Sequence, residues 1–573
     1  MTNYKNGLLY ISAVTMVHSA ILLIYMFNTL QGDIKYHFLP SNMFGVPTEL
    51  SKRGITPLYY GANECGWDGQ FYYYMSNDVF ALKDTPQHLD SNAYRYQRIG
   101  LSLWAALISI IALQSWVSPA IYYFSNLLIT LVGSWCGIKL LNSFNINSAW
   151  ILCWSLGVGT QVTIMNGLPD AAADAFLIIG LYGLSGQKNW LGFVALTFAA
   201  LTREAYIIFP IFIGIFQLIS YAKSQSEKHF ARVCASWLFS LRALPFAIVG
   251  LIFVAWHVYL RLHFNVSPSS QAHGILAMPL VECWKAITSG LHGSHYMVAA
   301  GLPSFREGIA SLCFILLLAV AFLLSLKLVL YDNKAPNLIR AFALALIPLC
   351  FLYACFGKIV MMHYTGYFKA ANLFFFAVPL LASIQGGRKL YLVSVSVVLL
   401  TQSFTSYYLW VDRILPGGNP GYSEYTHPKN AILEKGLLKK LNSFDVAIQI
   451  LRNEKHVSVG ILKRVFGKDF EVYHVRLENK STNPFVSCLG EGSVHMSYHI
   501  LSEDGKSVVK DGIRTVLPNK ISPGMSIDLP VVVEYPIKSG KYILRFSPVQ
   551  EGNVWFYNAN PESKLDLQFD IVN

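Results

Sequence analysis

Long apolar runs separated by short polar loops occupy the first 411 positions of the chain. A helix needs about 20 apolar residues to cross a hydrocarbon core of about 30 Å. The pattern therefore predicts a polytopic α-helical membrane protein with about 11 spans. The runs lie at about 8–30, 99–113, 119–140, 148–165, 170–185, 189–221, 241–262, 309–330, 340–357, 370–385 and 390–411.

The run 189–221 contains a polar break at Arg203-Glu204. If its two halves count as separate spans, the loops in the middle of the chain fall one crossing out of register. We therefore expect some segment within 99–221 to be a half-helix or a re-entrant piece.

After position 411 the pattern changes. Turn residues at 416–421 indicate a loop, and positions of about 429–455 carry helical periodicity. Alternation of apolar and polar residues then predicts strands at 472–477, 494–500 and 542–546, with turns at 503–505 and 523–524 between them. We divide the chain into a membrane domain over 1–427, a helical connector over 428–457 and a β-sandwich domain over 458–573.

Basic loops predict the orientation of the chain. Lys5 precedes the first run, and Lys and Arg recur in the loops 223–232, 327–340 and 386–389, so these parts are expected in the cytoplasm. The loops 31–98, 263–308 and 358–369, together with the C-terminal domain, then lie on the external face. The first run lacks a small-residue cleavage pattern, so we expect a retained helix and no cleaved signal.

Composition narrows the function classes. With 54% hydrophobic and 13% charged residues, the chain of 573 residues is too apolar to be one soluble domain. The net charge of +12 belongs mainly to the membrane domain, where cytoplasmic anchoring explains it, so no nucleic-acid partner is expected. The nine cysteines show no metal-binding spacing. Cys65 and Cys283 both lie in predicted external loops, where an oxidising compartment would permit a disulfide.

The first external loop carries the most informative motif. Asp68 follows Trp67 and precedes a Gly-Gln-Phe-Tyr-Tyr-Tyr stretch at 69–74. A carboxylate can take the proton of an acceptor hydroxyl, and aromatic faces can stack on sugar rings. We predict that Asp68 is catalytic and that Gln70 and Tyr72 bind substrate.

Two alternatives stay open for this loop. In the first alternative, Asp68 caps a turn before a cluster of interfacial tyrosines. In the second, Asp33 or Glu64, two other carboxylates of the same loop, takes the role given to Asp68.

Arg95 and Arg98 lie three residues apart where the chain re-enters the predicted membrane. If the helix has begun there, the two guanidiniums share one face and can hold a phosphate bidentately. The alternative is that both are interfacial anchors, although basic anchors are less expected on the external side.

A Pro169-Asp170 pair opens the apolar run at 170–185, and proline suits the first turn of a helix. The four-residue spacing places Asp170 and Asp174 on one helix face. Carboxylates that enter a membrane helix are costly unless they face a polar cavity, so we predict a functional role for Asp170. The alternative is a helix-terminus charge that the helix dipole favours.

Three further side chains offer positive charge. Arg203 either forms a structural ion pair in the bundle with Glu204 or faces a donor phosphate. His363 and Lys369, in the loop 358–369, form a second cationic patch at the predicted external face. For His363 the alternative is an ordinary hydrogen-bonded interface residue.

In their order along the chain, four short motifs resemble the GT-C superfamily of membrane glycosyltransferases, whose members include bacterial aminoarabinose transferases and protein O-mannosyltransferases. The motifs are Asp68 with the aromatic stretch behind it, residues 94–98, the Pro169-Asp170 helix start and the break at 201–204. The resemblance covers about 1–410. It implies a polyprenyl-phosphate-sugar donor, an acceptor that reaches the external face, and inversion at the anomeric carbon by direct displacement.

By the same resemblance, Asp68 is the general base and Asp170 lies near the acceptor. Arg95, Arg98 or Arg203 then binds the donor phosphate. The first loop lacks the Asp-x-Asp pair of metal-using members. We therefore predict no metal and no cofactor, and a divalent cation is not indicated.

The tail over about 460–573 resembles β-sandwich carbohydrate-binding modules of bacterial polysaccharide export and glycosylation proteins. The resembling residues are 498–500, 511–518, 523–524 and 550–556. Trp555 is either a core residue of the sandwich or part of a glycan-binding surface, and both alternatives stay open.

We interpret the chain as a glycosyltransferase of the bacterial inner membrane, surrounded by membrane lipids, that transfers sugar to a cell-envelope glycan or a lipid-linked acceptor. The alternative is a transporter or flippase of lipid-linked glycans, whose intramembrane charges would line a pathway. A transporter is expected to show repeated halves with matching broken helices, which the sequence does not show. A non-catalytic glycan-binding scaffold fits the carboxylate-rich first loop less well.

Overall fold

The computed structural model describes the ranges 2–28, 33–41, 44–57, 66–186, 188–224, 243–271, 274–291, 304–332, 334–361, 363–410, 414, 434–435, 440–456, 470–489, 492–509, 512–535 and 540–571. The chain divides into two units. The first comprises 1–39, 46–55 and 67–409, and the second comprises 40–45, 56–66 and 410–573.

The first unit is helical. Its helices are α1 (Thr2–Asn28), α2 (Thr48–Lys52), α3 (Gly69–Ser76), α4 (Asn92–Tyr96), α5 (Gly100–Ile111), α6 (Pro119–Ser143), α7 (Ile151–Ser155), α8 (Val158–Met165), α9 (Asp170–Ser185), α10 (Asn189–Thr202), α11 (Ile208–Ser224), α12 (Leu244–Phe264), α13 (Val281–Leu291), α14 (Ser304–Tyr331), α15 (Asn337–Ala354), α16 (Lys358–Met361), α17 (Tyr364–Ala371), α18 (Phe374–Gln385) and α19 (Arg388–Leu409).

Seven stretches of the described chain are long and apolar enough to cross a membrane. They are Asn6–Met26, Pro119–Ser143, Glu204–Lys223, Leu244–Phe264, Glu307–Tyr331, Asn337–Ala354 and Arg388–Leu409. Two bent helix pairs raise the number to nine if each pair counts as one span. The first, Ser148–Ser155 with Val158–Met165, bends by 49°, and the second, α17 with α18, bends by 46°.

The prediction of about 11 spans is therefore too high for the described residues. Helix α9, which corresponds to the predicted run 170–185, has 16 residues, which gives a length of about 24 Å, less than the hydrocarbon core requires. Helix α5 is shorter still, with 12 residues. Both short helices and the first bent pair lie within 99–221, where the sequence predicts a half-helix.

Two helix boundaries predicted from sequence are confirmed. Helix α9 starts at Asp170 directly after Pro169. Helix α10 ends at Thr202, and Arg203 is extended, with φ −145° and ψ 114°. A 3-10 helix at Glu204–Ile207 then leads into α11. The helix is therefore interrupted at the polar break.

In the residues that the structure describes, the second unit consists of strands and one short helix. They are β1 (Glu434–Lys435), β2 (Val446–His456), β3 (Phe470–Asn479), β4 (Cys488–Leu489), β5 (Val494–Ser502), β6 (Ser507–Val509), β7 (Thr515–Val516), β8 (Ser526–Glu534), β9 (Gly540–Gln550), β10 (Val554–Trp555), α20 (Phe556–Ala559) and β11 (Leu565–Ile571). The three strands predicted from alternation are confirmed as parts of β3, β5 and β9.

Two main sheets form this unit. One has the order β10-β9-β5-β6, with β11 beside β9 and β7 beside β5, and the other has the order β2-β3-β8. Apolar side chains from both sheets, such as Val475, Val531, Met496 and Phe546, belong to one buried core. Two sheets with a shared core are the arrangement that a β-sandwich requires.

The helical connector predicted over 428–457 is wrong where the structure describes it. Residues 446–456 form β2, which pairs antiparallel with β3. The physical reason is the period-two alternation of Val446, Ile448 and Ile450, which all pack in the shared core. The turn residues at 416–421 lie outside the described residues.

Candidate functional site

Asp68 directly precedes α3, and its side chain does not cap the helix. Its Oδ1 accepts a hydrogen bond from Nη2 of Arg95 at 3.0 Å, and its Oδ2 lies 4.0 Å from Nζ of Lys369. The Asp68 side chain keeps 42% of its surface exposed. Asp68 therefore faces solvent and two cations, which argues against the turn-capping alternative.

The tyrosines of α3 do not form an interfacial belt. Tyr72, Tyr73 and Tyr74 are at most 1% exposed, and Gln70 is also buried. Tyr72 accepts a hydrogen bond from Ser102 through its carbonyl oxygen. These side chains hold α3 in the helical unit and thereby position Asp68 at its start.

Arg95 lies between two carboxylates. Its Nε donates to Asp90 Oδ1 at 2.8 Å, and its Nη2 donates both to Asp90 Oδ2 at 2.6 Å and to Asp68 Oδ1 at 3.0 Å. The guanidinium also lies 4.7 Å from the ring centre of Phe71. Sequence reasoning missed Asp90, whose only signal is its place five residues before Arg95.

Charge controls the protonation of Asp68. Partial removal from water would raise the pKa of Asp68, but the positive charges of Arg95, Lys369 and Arg98 lower it to about 2. Asp68 is therefore ionised at neutral pH. The same positive charges make the ionised Asp68 carboxylate a weak base.

Thermal unfolding as a function of pH tests this pairing. A carboxylate with a lowered pKa in the folded state stabilises the fold above its unfolded value of about 3.9, and this contribution disappears as pH falls through the folded value. We expect the melting temperature of the native protein to exceed that of Asp68→Asn at pH 6 and the difference to shrink between pH 4 and 2. A difference that stays constant over this range would contradict the pairing.

Arg98 pairs with a different carboxylate. Its Nε donates to Glu204 Oε2 at 2.7 Å and its Nη2 to Glu204 Oε1 at 2.5 Å. The guanidinium also lies 4.8 Å from the ring centre of Tyr94. Arg95 and Arg98 thus hold carboxylates in this structure and do not jointly face a common anion site.

Arg203 binds Asp170 instead of Glu204. Its Nη1 lies 3.3 Å from Asp170 Oδ1 and donates to the carbonyl oxygen of Ala370 at 2.7 Å. The alternative in which Arg203 forms an ion pair with Glu204 is therefore wrong. Asp170 is nearly buried at the start of α9, so the helix-terminus position and the ion pair occur together.

Lys369 has a longer ion-pair contact than any of the three predicted arginines. Its Nζ lies 4.0 Å from Asp68 Oδ2, and its side chain is 26% exposed. It precedes Ala370, whose carbonyl oxygen binds Arg203. We call the group formed by Asp68, Asp90, Arg95, Arg98, Asp170, Arg203, Glu204 and Lys369 the charged cluster.

Two glycines allow the backbone segments of the charged cluster to meet. A Cβ on Gly69 would lie 1.8 Å from the carbonyl oxygen of Asn166, just before the Pro169-Asp170 helix start. A Cβ on Gly100 would lie 2.1 Å from Thr202 Oγ1 and 2.6 Å from Thr202 N. These contacts bring Asp68 towards Asp170, and Arg98 towards Arg203.

Substitution of Gly69 by alanine tests the first contact. Because the clash is with a backbone oxygen, Gly69→Ala should shift α3 and destabilise the protein by about 1–3 kcal/mol. Gly250→Ala is the matched control, since a Cβ on Gly250 meets no atom within 4 Å. Equal melting temperatures for the two variants would show that the backbones of 69 and 166 do not touch.

One more carboxylate, that of Asp174, lies deeper in the helical unit. Asp174 is 0% exposed and accepts hydrogen bonds from Trp154 Nε1 at 2.9 Å, from Asn372 Nδ2 at 3.3 Å and from the Tyr206 hydroxyl. Asn372 Nδ2 also donates to Thr160 Oγ1 at 2.7 Å. Asp174 therefore joins α7, α8, α9, the 3-10 helix after Arg203 and the bend after α17.

The described contacts of His363 are with Thr365 and Glu307, which lie outside the charged cluster. Its Nδ1 accepts from Thr365 N at 3.2 Å at the start of α17, and its Nε2 lies 4.0 Å from Glu307 Oε1. Glu307 also accepts from Tyr364 N at 3.1 Å and from the Tyr367 hydroxyl at 3.2 Å. The predicted cationic patch of His363 and Lys369 is thus divided between two sets of partners.

The alternative carboxylates of the first loop either have other hydrogen-bond partners or lie outside the residues that the structure describes. Asp33 caps the 3-10 helix at Ile34–Tyr36 by accepting from Lys35 N at 2.9 Å. Glu64 and Cys65 lie outside the described residues. Cys283 is buried, with its Sγ 3.7 Å from Met361 Sδ.

Two cavities of the unit lie apart from the charged cluster. One of about 380 Å³ is lined by Leu184, Tyr221 and Leu338 among others, and one of about 330 Å³ by Trp150 and Tyr391 among others. Leu184 lies about 21 Å along α9 from Asp170. In the described chain, no three His, Cys, Asp or Glu residues are placed to hold a metal ion.

In the second unit, Trp555 is half-buried and is not part of the shared core. Its ring centre lies 3.9 Å from that of His499 and 4.9 Å from the Arg514 guanidinium. The core alternative for Trp555 is therefore wrong, and its role in glycan binding stays a prediction.

Comparison of the chain with protein-family models, curated proteins and solved structures finds no match. Chemically, the charged cluster offers a partly exposed carboxylate that can accept a proton and a loosely paired ammonium next to it. Around these two groups, three arginines are held in place by carboxylates. This combination suits a reaction in which an anionic leaving group departs near a proton acceptor.

Proposed function

We propose that the protein is an inverting membrane glycosyltransferase of GT-C type, which moves a sugar from a polyprenyl-phosphate donor to a cell-envelope glycan or lipid-linked acceptor at the external membrane face. The observation that carries the proposal is the convergence of Asp68, Arg95, Asp170, Arg203 and Lys369. Contacts of 3.0 and 4.0 Å join Asp68 to Arg95 and Lys369, and a contact of 3.3 Å joins Asp170 to Arg203. The carbonyl oxygen of Ala370, the residue after Lys369, accepts from Arg203 and connects the two groups.

The proposed reaction assigns roles to Asp68 and Lys369. The acceptor oxygen attacks the anomeric carbon, the bond from that carbon to the phosphate oxygen breaks, and the hydroxyl proton moves to Asp68. The polyprenyl phosphate leaves with the bonding electron pair. Lys369 is the cation best placed to bind its phosphate, because its contact to Asp68, at 4.0 Å, is the longest ion pair described in the cluster.

Donor binding also strengthens Asp68 as a base. When the phosphate attracts Lys369, one of the positive charges that lower the pKa of Asp68 is neutralised. The carboxylate then holds a proton more readily. Arg95 stays beside it, because Asp90 binds the guanidinium through two contacts of 2.8 and 2.6 Å.

The arrangement of charge favours an enzyme over a flippase. A transport pathway needs polar groups spread along the membrane normal. Here Asp170, Glu204 and Lys369 lie at or near the ends of helical segments, and the deeper Asp174 is buried with three hydrogen-bond donors.

Measurement of donor affinity shows whether Lys369 or Arg98 binds the donor phosphate. Lys369→Gln should weaken binding of the polyprenyl-phosphate-sugar about 10-fold, because about 1.4 kcal/mol of attraction to the phosphate is lost. Arg98→Lys should leave donor affinity unchanged and lower the melting temperature, because an ammonium cannot reproduce the two-point contact to Glu204. Binding to purified protein, measured by titration calorimetry, distinguishes them, and the reverse pattern would place the phosphate at Arg98.

Glycan analysis tests the function itself. Envelope glycans from cells that lack the protein should miss a sugar substituent that the native chain restores and Asp68→Asn does not. Mass spectra that are identical in all three strains would reject the proposed transfer.

A further inference from the structure

A group of large apolar side chains is exposed on the segment that leads into α13 and on the first turn of that helix. Leu276 is 56%, Met278 73% and Trp284 65% exposed. A single exposed apolar residue is ordinary, but several on one short segment mark an interaction surface.

Backbone pairing fixes this exposure. Ala277 N donates to Cys355 O at 2.8 Å, Leu280 N to Ala354 O at 2.6 Å and Gly357 N to Ile275 O at 2.7 Å. On α13 itself, Cys283, Ala286 and Ile287 are buried. The opposite face, with Val281 and Trp284, is therefore directed outwards by the fold.

The segment lies at the end of a candidate membrane span. Ala354 is the last residue of the span Asn337–Ala354, and the backbone bonds above join the segment to this point. Phe351 on the last turn of the span and Ile359 just beyond it are also exposed. The apolar surface of the span thus continues onto residues 276–284.

The polar residues beside it fit the edge of a bilayer. Lys285 and Lys358 are exposed, and Lys285 Nζ binds Glu282 Oε1 at 2.7 Å. Tryptophan favours the boundary between headgroups and acyl chains, where one side of the ring is apolar and its N–H is hydrated. Lysine can place its stem on apolar groups and its charge at the headgroups.

We propose that residues 275–285 form a membrane-interface anchor whose partner is the headgroup–acyl boundary of a phospholipid bilayer. This inference rests on the membrane location that the proposed function also requires. The anchor holds the start of α13 at the level where α15 ends and α16, the neighbour of the Lys369-bearing helix, begins.

Photocrosslinking in vesicles tests the anchor. The full-length protein is reconstituted in phosphatidylethanolamine–phosphatidylglycerol vesicles with a benzophenone amino acid in place of Met278 or of Trp284. After irradiation, mass spectrometry identifies the adducts. Leu251, 67% exposed in the candidate span of α12, is the control for lipid contact. Met525 in the second unit, 56% exposed, is the control for exposure alone.

We expect phospholipid adducts at Met278 and Trp284 in at least half the yield found at Leu251, and at least five times the yield at Met525. Adducts to a second copy of the chain, or lipid yields no higher than at Met525 while Leu251 reacts with lipid, would overturn the anchor alone. Failure at Leu251 as well would overturn the membrane location, and with it both this inference and the proposed function.

Discussion

Asp68→Asn should lower the rate of sugar transfer by about 10²–10⁴-fold, the usual loss when a general base is removed. Asparagine keeps the size of the side chain and a hydrogen-bond acceptor for Arg95, whose Nη2 donates to Asp68 at 3.0 Å. It cannot take the proton of the acceptor hydroxyl. Donor affinity should stay within a few-fold of the native value, because Lys369 is retained. Transfer of radiolabelled sugar in proteoliposomes measures the rate.

Asp33→Asn is the matched control in the same loop, because Asp33 caps a 3-10 helix and does not contact the charged cluster through any bond described above. We expect it to transfer sugar at nearly the native rate. Near-native turnover by Asp68→Asn would move the base to another carboxylate, with Asp170 first among those in the charged cluster.

Asp174→Ala should destabilise the protein by about 3–5 kcal/mol. The carboxylate accepts hydrogen bonds from Trp154, Tyr206 and Asn372 inside the helical unit. Alanine leaves these donors without their acceptor and opens a cavity, and each buried donor without a partner costs about 1–3 kcal/mol. Thermal unfolding in detergent measures the loss.

Two comparisons separate this network from a general effect of substitution. Asp174→Asn keeps the shape and one acceptor oxygen, so it should cost less than half as much as alanine. In a double-mutant cycle, Tyr206→Phe should be costly in the native protein and nearly neutral in Asp174→Ala. Additive losses in the cycle would show that Tyr206 and Asp174 do not interact.

The helix starts and breaks that depend on local chemistry are predictable from sequence. Proline at 169 fixes the backbone for a first turn, and α9 begins directly after it. The charged pair at 203–204 interrupts an apolar run, and the helix ends at Thr202. By contrast, the span count is too high even when each bent pair counts as one span, because the apolar runs 99–113 and 170–185 correspond to helices of only 12 and 16 residues.

Ion-pair partners are less predictable, because they depend on tertiary contacts. Arg203 is adjacent to Glu204 in sequence, yet it binds Asp170, while Glu204 binds Arg98. The close backbone approach at Gly100 and Thr202 brings Arg98 next to Glu204, so the chain fold determines which partner each charged residue has. The sequence also places Asp170 and Asp174 on one face, but it does not show that Asp174 binds Trp154 and Tyr206 instead of a cation.

The structure of the predicted connector over 428–457 also depends on long-range contacts. Helical periodicity at 432–441 extends the predicted helix too far, because the alternation from Val446 onward is short and the apolar residues Ala447 and Leu451 interrupt it. Pairing of β2 with β3 decides its structure. Long-range pairing outweighs local preference in strands of this kind.

The most direct test of the account is mass spectrometry of the lipid that co-purifies with Asp68→Asn, the variant expected to bind donor without turning it over. We expect a polyprenyl-phosphate-sugar on this variant and its loss from the Asp68→Asn/Lys369→Gln double variant. Only bilayer phospholipids on both proteins would contradict the claim that the charged cluster binds and cleaves a lipid-linked sugar.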